Sequence, residues 1–284
     1  MGTNNVIDLL NNCNQDLTKS EKKIASYILS KINEAQYMSI TSLAEDCKVA
    51  EATITRFCKK LSYNGYNEFK LALAKAAGSG ITEISGISDI SDSDSISAMG
   101  SKLFSLEASA IRHSLELLNE QDVSRAVDYI IQAQHVFCFG QGGSGVTAIE
   151  AWARFITAAH NFQYILDSHM QTMAASLCTP EDVILFFSYS GATRDMVDIL
   201  RPAKNRGAHI ILVTHYQKSP ATAFADVVLL CGGHEAPLQS GSIASKIGQM
   251  FLIDVLYNEY CRRSPKTTAF NNDATMSALV TKLI

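Results

Sequence analysis

Three hydroxyl side chains surround one glycine near the middle of the chain. Val183 to Phe187 is a run of apolar residues, and Ser188, Ser190 and Thr193 follow it around Gly191. Such a run is typical of a strand buried on both faces of a parallel sheet. A helix is predicted to begin directly after the hydroxyls, and its first turn has unpaired N–H groups and a positive dipole end. Hydroxyls beside such amides suit a phosphate monoester, which the glycine lets approach the backbone closely.

A second loop rich in glycine and serine follows another predicted strand. The stretch from Gly140 to Gly145 reads Gly-Gln-Gly-Gly-Ser-Gly. It also fits the G-x-G-x-x-G fingerprint of dinucleotide sites, and Asp167 follows at about the distance of the residue that binds the ribose. A dinucleotide site is therefore an alternative prediction. It leaves the hydroxyl cluster around Gly191 unexplained.

Alternating strands and helices place both loops at one edge of a sheet. The predicted strands are His135–Phe139, Phe162–Leu166, Asp182–Phe187, His209–Val213 and Val227–Leu230. The helices predicted between and after them are Val146–Ala159, Met170–Leu177, Arg194–Asn205 and Ser242–Tyr260. This order predicts an α/β domain with a doubly wound, mainly parallel sheet, in which ligands bind beyond the carboxyl ends of the strands.

The first part of the chain carries a different pattern. Thr18 and Glu21 match a capping box, and a helix is predicted from there to about Asn33. Two shorter helices follow, the first capped by Ser39 and the second with a buried stripe of Ile54, Phe57, Cys58 and Leu61. Two short helices joined by a tight turn indicate an all-α helix-turn-helix domain. The same periodicity also fits a helical bundle whose charged face is only exposed to solvent and binds no DNA. The candidate DNA-contacting residues are Ser39, Glu51, Thr53, Thr55, Arg56, Lys59 and Lys60.

Composition indicates where one domain ends and the next begins. Residues 78–97 are mainly Ser, Gly, Asp and Ile, with several acidic residues and no Lys or Arg, which predicts a linker. Helical patterns resume at Ala98–Leu118 and Gln121–Ala133. We therefore expect a helix-turn-helix domain over residues 1–77, this linker, and an α/β domain with two preceding helices over 98–284.

The net charge, the cysteines and the lengths of the apolar runs narrow the class of protein. The net charge of −4 over 284 residues argues against a general nucleic-acid coat. The seven cysteines form no C-x-x-C pair or zinc spacing and mostly lie in apolar segments, so we expect buried free thiols and no metal site. No secretory leader or membrane span is evident. We expect a cytoplasmic protein.

The N-terminal residues resemble one family of regulators. The stretches Ser39–Ala44, Ala52–Leu61 and Gly65–Lys70 are similar to the DNA-binding domain of RpiR-type transcriptional regulators. Two positions depart from that pattern. Ala50 stands where a serine usually caps the recognition helix, and Ser62 stands where a glycine usually follows the leucine.

The two hydroxyl loops resemble the sugar isomerase (SIS) domain over about Ser124 to Arg263, and the stretch 235–245 resembles RpiR-type proteins. The resemblance implies a phosphosugar ligand, with Ser144, Ser188, Ser190 and Thr193 on the phosphate. Gly191 belongs to the same predicted ligand-binding loop. The resemblance further implies that Gln141 and the amides of Gly142 and Gly143 contact the sugar. Glu235 either accepts a sugar hydroxyl or caps the following helix.

The expected function is a transcriptional regulator that binds a double-stranded operator as a homodimer or homotetramer and senses a phosphorylated sugar, with no cofactor. SIS folds also occur in isomerases, so an enzyme is a further alternative. Proton transfer between sugar carbons needs a positioned base. The candidates Glu150, His169, His234 and Glu235 form no recognisable catalytic pair, which favours a sensor with no catalytic residues.

Overall fold

The computed structural model describes residues 6–12, 17–76, 90–233, 243–280 and 282. The chain divides into two compact units within one helix, between Leu103 and Phe104. The predicted domain limits after residues 77 and 97 stay predictions, because most of the predicted linker, residues 78–89, lies outside the described ranges.

The first unit is entirely helical in its described residues. Before the helix that both units share, its helices are α1 (Val6–Asn12), α2 (Lys19–Ser30), α3 (Ile32–Ala35), α4 (Ile40–Asp46), α5 (Glu51–Lys60) and α6 (Tyr66–Ala76). The predicted capping box is confirmed: the Thr18 amide donates to Glu21 Oε2 over 2.7 Å, and the Glu21 amide donates to Thr18 Oγ1 over 3.4 Å. The predicted continuation to Asn33 is wrong. Lys31 has φ −137°, outside the helical range, and separates α2 from α3.

A single apolar core holds these helices together. Ile24 and Ile28 of α2, Ile54 and Phe57 of α5, and Phe69 of α6 are all fully or almost fully buried. The predicted stripe on α5 is confirmed and faces this core. Because one side of α5 is committed to packing, its polar side is left at the surface.

The second unit is built on a five-stranded sheet. The strands are β1 (His135–Gly140), β2 (Phe162–Tyr164), β3 (Asp182–Phe187), β4 (His209–Thr214) and β5 (Val227–Leu230). Their order across the sheet is β2-β1-β3-β4-β5, and every neighbouring pair is parallel. The chain crosses from one side of β1 to the other between β2 and β3. This order places the topological switch point, where ligands bind in such sheets, between β1 and β3.

Helices precede the strands, separate all of them except β4 and β5, and follow them. They are α7 (Ile96–Glu116), which begins in the first unit, α8 (Glu120–Gln132), α9 (Gly143–Phe155), α10 (Ser168–Leu177), α11 (Arg194–Asn205), α12 (Ile243–Arg263) and α13 (Pro265–Val280). All six residues of β3 are buried. Val183 and Leu185 pack in one core with α8, α9 and α12, whereas Ile184 and Phe186 pack in another with α11. The prediction of a strand buried on both faces is confirmed.

Several predicted boundaries differ from the structure. β2 ends at Tyr164 instead of Leu166, because the carbonyl of Ile165 accepts a hydrogen bond from a side chain instead of continuing the ladder. α9 begins at Gly143, three residues before the predicted start, so the Gly/Ser loop is shorter than expected. The C-terminal helix α13 was not predicted. It buries only Thr268 among its described side chains, so its sequence has little amphipathic signal.

The cysteines agree with the predicted free thiols where they are described. Five are buried and Cys261 is half-buried, all without disulfides, and Cys13 lies outside the described residues. Within the described ranges, no helix has the length and apolarity needed to cross a bilayer. The same part of the chain contains no group of three or more His, Cys, Asp or Glu side chains placed to hold a metal ion.

Candidate functional site

The two hydroxyl-bearing loops begin side by side at the switch point. Gly140, the last residue of β1, is paired in register with Phe187, the last residue of β3. The next residues along the chain, Gln141 and Ser188, therefore enter their loops at the same edge of the sheet. The structure thus brings together the two segments that the sequence singled out separately.

The three hydroxyl side chains after β3 differ in their burial and in their hydrogen bonds. Ser188 is buried, and its Oγ accepts a hydrogen bond from the Gly191 amide over 3.1 Å. Ser190 is half-buried, and its Oγ accepts from the Ala192 amide over 3.3 Å. Thr193 is exposed at the N-cap of α11, where its side chain makes no capping hydrogen bond. The two serines fold the loop around its own amides, while the first turn of α11 is left without a side-chain partner.

Gly191 has a structural role within the hydroxyl loop. Its φ is +58°, a conformation that L-residues with side chains rarely adopt. A Cβ atom here would lie 2.2 Å from Ser219 Oγ, so the missing side chain makes room for the loop after β4. The predicted close approach of a ligand to Gly191 stays a prediction. The Ala221 amide donates to the Gly191 carbonyl over 2.9 Å and holds the two loops together. Ser219 is almost fully buried, and its Oγ has no hydrogen-bond partner within the described structure.

The loop after β1 leads directly into α9. Gly142 is the N-cap, with φ 53° and ψ −127°, and provides no side-chain cap. Ser144 lies in the first turn of the helix and is half-buried. A Cβ on Gly140 would lie 2.6 Å from the Ser144 carbonyl oxygen, so β1 and α9 approach each other closely. This loop therefore offers the uncapped start of a second helix at the same edge of the sheet.

The features behind the dinucleotide alternative have local structural explanations. A Cβ on Gly145 would lie 3.2 Å from the Gly140 carbonyl, so both glycines allow close packing between β1 and α9. Asp167 is the N-cap of α10, and its Oδ1 accepts from the Met170 amide over 2.9 Å. The carboxylate that would contact a ribose is thus engaged in a helix cap.

Gln171 was missed by the sequence reasoning. It is fully buried on α10, and its Nε2 donates to the carbonyls of Gly140 over 3.2 Å and Ile165 over 2.6 Å. Its Oε1 accepts from Gln141 Nε2 over 2.6 Å. The available signal was a polar side chain on the apolar side of a predicted helix, near Ala175. Buried amides of this kind have to be hydrogen-bonded.

Tyr189 also went unnoticed and lies between the two serines in sequence. Its hydroxyl donates to the Gly233 carbonyl over 3.1 Å, and its ring stacks on His215 with centroids 4.9 Å apart. The carbonyl of Tyr189 accepts from Thr214 Oγ1 over 3.1 Å and from the His215 amide over 3.1 Å. These contacts anchor the hydroxyl loop to the end of β4.

Two of the four candidate bases lie within the described residues. Glu150 is exposed on α9, and His169 is exposed in the first turn of α10. His234 and the predicted sugar contact Glu235 lie outside the described residues.

The predicted DNA-facing side of α5 is polar and accessible. Arg56, Lys59 and Lys60 are exposed, and Thr53 and Thr55 are half-buried. Arg56 donates to Thr53 Oγ1 over 3.3 Å, and Thr55 Oγ1 donates to the backbone of its own helix. These groups lie on the side of α5 opposite the buried stripe.

Hydrogen bonds or an ion pair within the domain involve three of the predicted DNA contacts. Ser39 is buried, and its Oγ accepts from the Ser42 amide over 3.0 Å as the N-cap of α4. Its contact with DNA stays a prediction. Glu51 Oε1 accepts from Thr41 Oγ1 over 2.5 Å. Lys60 Nζ lies 2.9 Å from Glu21 Oε2 and ties α5 to α2.

Both departures from the family pattern have visible consequences at the ends of α5. Ala50 occupies the N-cap without a side-chain hydrogen bond. Ser62 has φ +70°, and the Ser62 and Tyr63 amides donate to the carbonyls of Lys59 and Cys58, each over 3.0 Å. This is the Schellman arrangement, which usually has glycine where Ser62 stands.

Comparisons with known proteins identify both domains. Residues 4–80 match the family model for the helix-turn-helix domain of the rpiR family, and residues 129–259 match the SIS domain. An HTH-type transcriptional regulator of Haemophilus influenzae is 33% identical over 255 residues, covering 89% of this chain and 88% of its own. The HTH-type transcriptional regulator HexR of Escherichia coli is 28% identical, with 91% and 89% covered.

Solved structures show the same fold. The NanR protein of Vibrio vulnificus, solved in complex with ManNAc-6P, has a TM-score of 0.87 at 24% identity and covers 98% of this chain and 99% of its own. The sugar isomerase domain of an RpiR transcription factor from Sphaerobacter thermophilus has a TM-score of 0.58 at 20% identity and covers 63% and 98%. The relatives are named as regulators, and this chain is accordingly a regulator and not an enzyme. It belongs to the RpiR family of HTH-type transcriptional regulators, with an N-terminal helix-turn-helix domain and a C-terminal SIS domain.

Proposed function

We propose that the SIS domain binds a phosphorylated sugar between the loops after β1 and β3, and that this binding alters the affinity of the helix-turn-helix domain for an operator. One observation carries the ligand proposal. The N-termini of α8 and α10 are capped by the side chains of Asn119 and Asp167. The N-termini of α9 and α11, which begin at the switch point, have no side-chain cap.

Uncapped helix starts suit a phosphate. The amides of the first turns lack side-chain acceptors, and the helix dipoles favour a negative charge. Ser144, Ser190 and Thr193 add hydroxyl donors beside them. We assign the phosphate to these hydroxyls together with Ser188, and the sugar to Gln141, Gly142 and Gly143, with Glu235 as a further contact. The structure of NanR in complex with ManNAc-6P supports the class of ligand, because that protein shares the fold.

The proposed operator contacts follow from the exposed side of α5. Arg56 and the threonine hydroxyls are expected to reach base edges. Lys59 and Lys60 are expected to contact phosphates of the DNA backbone. A dimer or tetramer would present paired helices to half-sites one helical turn, or a multiple of it, apart. We also keep the expectation of a cytoplasmic location, where such an operator would be found.

A thermal-shift screen followed by calorimetry tests the ligand. We expect a hexose, pentose or amino-sugar phosphate to raise the melting temperature, because a ligand that binds the folded state stabilises it. Ser190→Ala combined with Thr193→Ala should abolish this binding. The matched control is Ser176→Ala with Thr157→Ala, two hydroxyls whose hydrogen bonds lie outside these loops. Stabilisation by NAD without any response to sugar phosphates would contradict the proposal and favour the dinucleotide alternative.

A further inference from the structure

The hydrogen bonds of Gln171 determine which way its amide faces. Its nitrogen lies 3.2 Å from the Gly140 carbonyl and 2.6 Å from the Ile165 carbonyl. Carbonyl oxygens only accept hydrogen bonds, so the NH2 group of Gln171 has to face both of them. The opposite assignment would bring three oxygens together in a fully buried position. The Oε1 atom of Gln171 therefore faces Gln141.

This orientation fixes that of Gln141 in turn. Because Gln171 Oε1 is an acceptor, the atom of Gln141 that lies 2.6 Å from it has to be the donor Nε2. The Gln141 side chain makes no second hydrogen bond within the described residues. It is half-buried at the edge of the sheet where the Ser188 loop begins. Its Oε1 is thus the atom left for a ligand.

We propose that Gln171 is a positioning residue that makes Gln141 a hydrogen-bond acceptor toward the sugar. The ligand must then present a donor at this point, either a hydroxyl or an amide N–H. A free glutamine would rotate its amide to meet a donor or an acceptor, whereas one held by Gln171 does not. This inference rests on the proposed phosphosugar function and adds a polarity requirement, because polar groups fixed in a site reject analogues that leave them unpaired.

Ligand analogues test this requirement. A hexose or N-acetylhexosamine 6-phosphate that binds the wild type is compared by calorimetry with its monodeoxy and monofluoro analogues at each sugar carbon. We expect one position at which loss of the donor weakens wild-type binding about tenfold, as expected for one unmade hydrogen bond. In Gln141→Met, the same replacement should change affinity by less than about twofold. The matched control is Gln163→Met, an exposed glutamine on β2 that should keep the full discrimination.

Gln171→Met tests the positioning role separately. Discrimination at that one position should fall as in Gln141→Met, while the affinity for inorganic phosphate, which lacks the sugar, should stay unchanged. If Gln171→Met does not fold because two buried carbonyls lose their donor, Gln141→Met, whose side chain is half-buried, still tests the acceptor role that the inference requires.

The outcomes separate the two proposals. Full discrimination retained in Gln141→Met, with sugar phosphates still binding the wild type, would overturn this inference and leave the proposed function intact. Failure of every sugar phosphate to bind the wild type would overturn the proposed function and this inference with it.

Discussion

Gly191 is the residue on which the shape of the hydroxyl loop depends most. Its φ of +58° turns the chain so that its amide meets Ser188 Oγ, and its carbonyl meets the Ala221 amide. Any side chain at this position would meet Ser219. The loop geometry thus requires glycine for two independent reasons, one conformational and one steric.

We predict that Gly191→Ala destabilises the protein by at least about 1 kcal/mol, because a residue with a Cβ is strained in this conformation and here also meets a neighbouring atom. Sugar-phosphate binding should fall with it, since the loop has to shift. Urea unfolding and calorimetry measure the two effects.

Adding Ser219→Gly to Gly191→Ala removes the steric contact and leaves the backbone strain, so it should restore part of the stability. Unchanged stability and ligand affinity in Gly191→Ala would show that the loop does not depend on this conformation.

A second residue with a positive φ, Ser62, leads to a prediction of increased stability. Ser62 ends α5 in the left-handed region, with φ +70°. We expect Ser62→Gly to stabilise the protein by about 0.5–1 kcal/mol, because glycine adopts this conformation without the Cβ penalty. Urea unfolding measures the change. Ser62→Ala is the control and should give no gain, and equal effects of glycine and alanine would contradict the explanation.

Arg56 is the residue of α5 best placed to read a base, since it is exposed and its only side-chain hydrogen bond among the described residues is to Thr53. Arg56→Ala should weaken operator binding by about 1–3 kcal/mol at fixed salt, as expected for loss of a specific base contact. Fluorescence anisotropy with operator and scrambled duplexes measures both the affinity and the specificity. Arg201→Ala, an exposed arginine on α11, is the control. Equal operator binding by Arg56→Ala would remove this residue from the interface.

At the scale of elements, the sequence predicted most helices and strands, but it did not predict where several of them end. Apolar periodicity was sufficient for β3 and α5, because their buried faces are long and uninterrupted. The break at Lys31 and the early end of β2 were missed. The break at Lys31 depends on a single backbone angle. The early end of β2 depends on the hydrogen bond that Gln171, on α10, donates to the Ile165 carbonyl. Neither leaves a local pattern in the chain.

The first residues of β1 and β3 are joined by a polar contact that has a predictable pH dependence. His135 Nδ1 lies 2.9 Å from Asp182 Oδ1, and the Thr179 amide donates to Asp182 Oδ2 over 2.7 Å. Burial alone raises the pKa of Asp182, but the hydrogen bonds from the Thr179 backbone, His135 and the Thr179 hydroxyl outweigh it, so the pKa lies below its usual value.

A lowered pKa means that Asp182 stabilises the folded state when it is ionised. The stabilisation is present above the unfolded-state pKa of about 3.9 and is lost as the pH falls through the lower folded-state value. Asp182→Asn should therefore cost about 1.5–3 kcal/mol at pH near 7, and the difference from wild type should shrink in acid. Urea unfolding across the pH range measures this, and a difference that is independent of pH would contradict it.

At the scale of the whole molecule, motif recognition predicted the fold class and the family, and both are confirmed. The assigned ligand residues stay predictions, although the structure brings the segments after β1 and β3 together. What the sequence could not supply is the set of contacts that position them. Gln171 and Ser219 act through contacts with segments about 30 residues away in the chain, and single-sequence patterns record only local spacing.

The proposed regulation requires a ligand that binds more tightly to one arrangement of the DNA-binding domains than to another. Such coupling is reciprocal, so the operator must change the affinity for the sugar phosphate by the same factor as the sugar phosphate changes the affinity for the operator. This holds whether the ligand promotes or releases DNA binding.

Operator affinity measured with and without the bound sugar phosphate, in the wild type and in Ser190→Ala combined with Thr193→Ala, tests this account most directly. We predict that the ligand changes wild-type operator affinity by about 5–150-fold, the usual range for coupled sites. In the double variant, ligand-free operator affinity should be unchanged and the response to the ligand lost. An equal response in both proteins, or none in the wild type despite ligand binding, would contradict it.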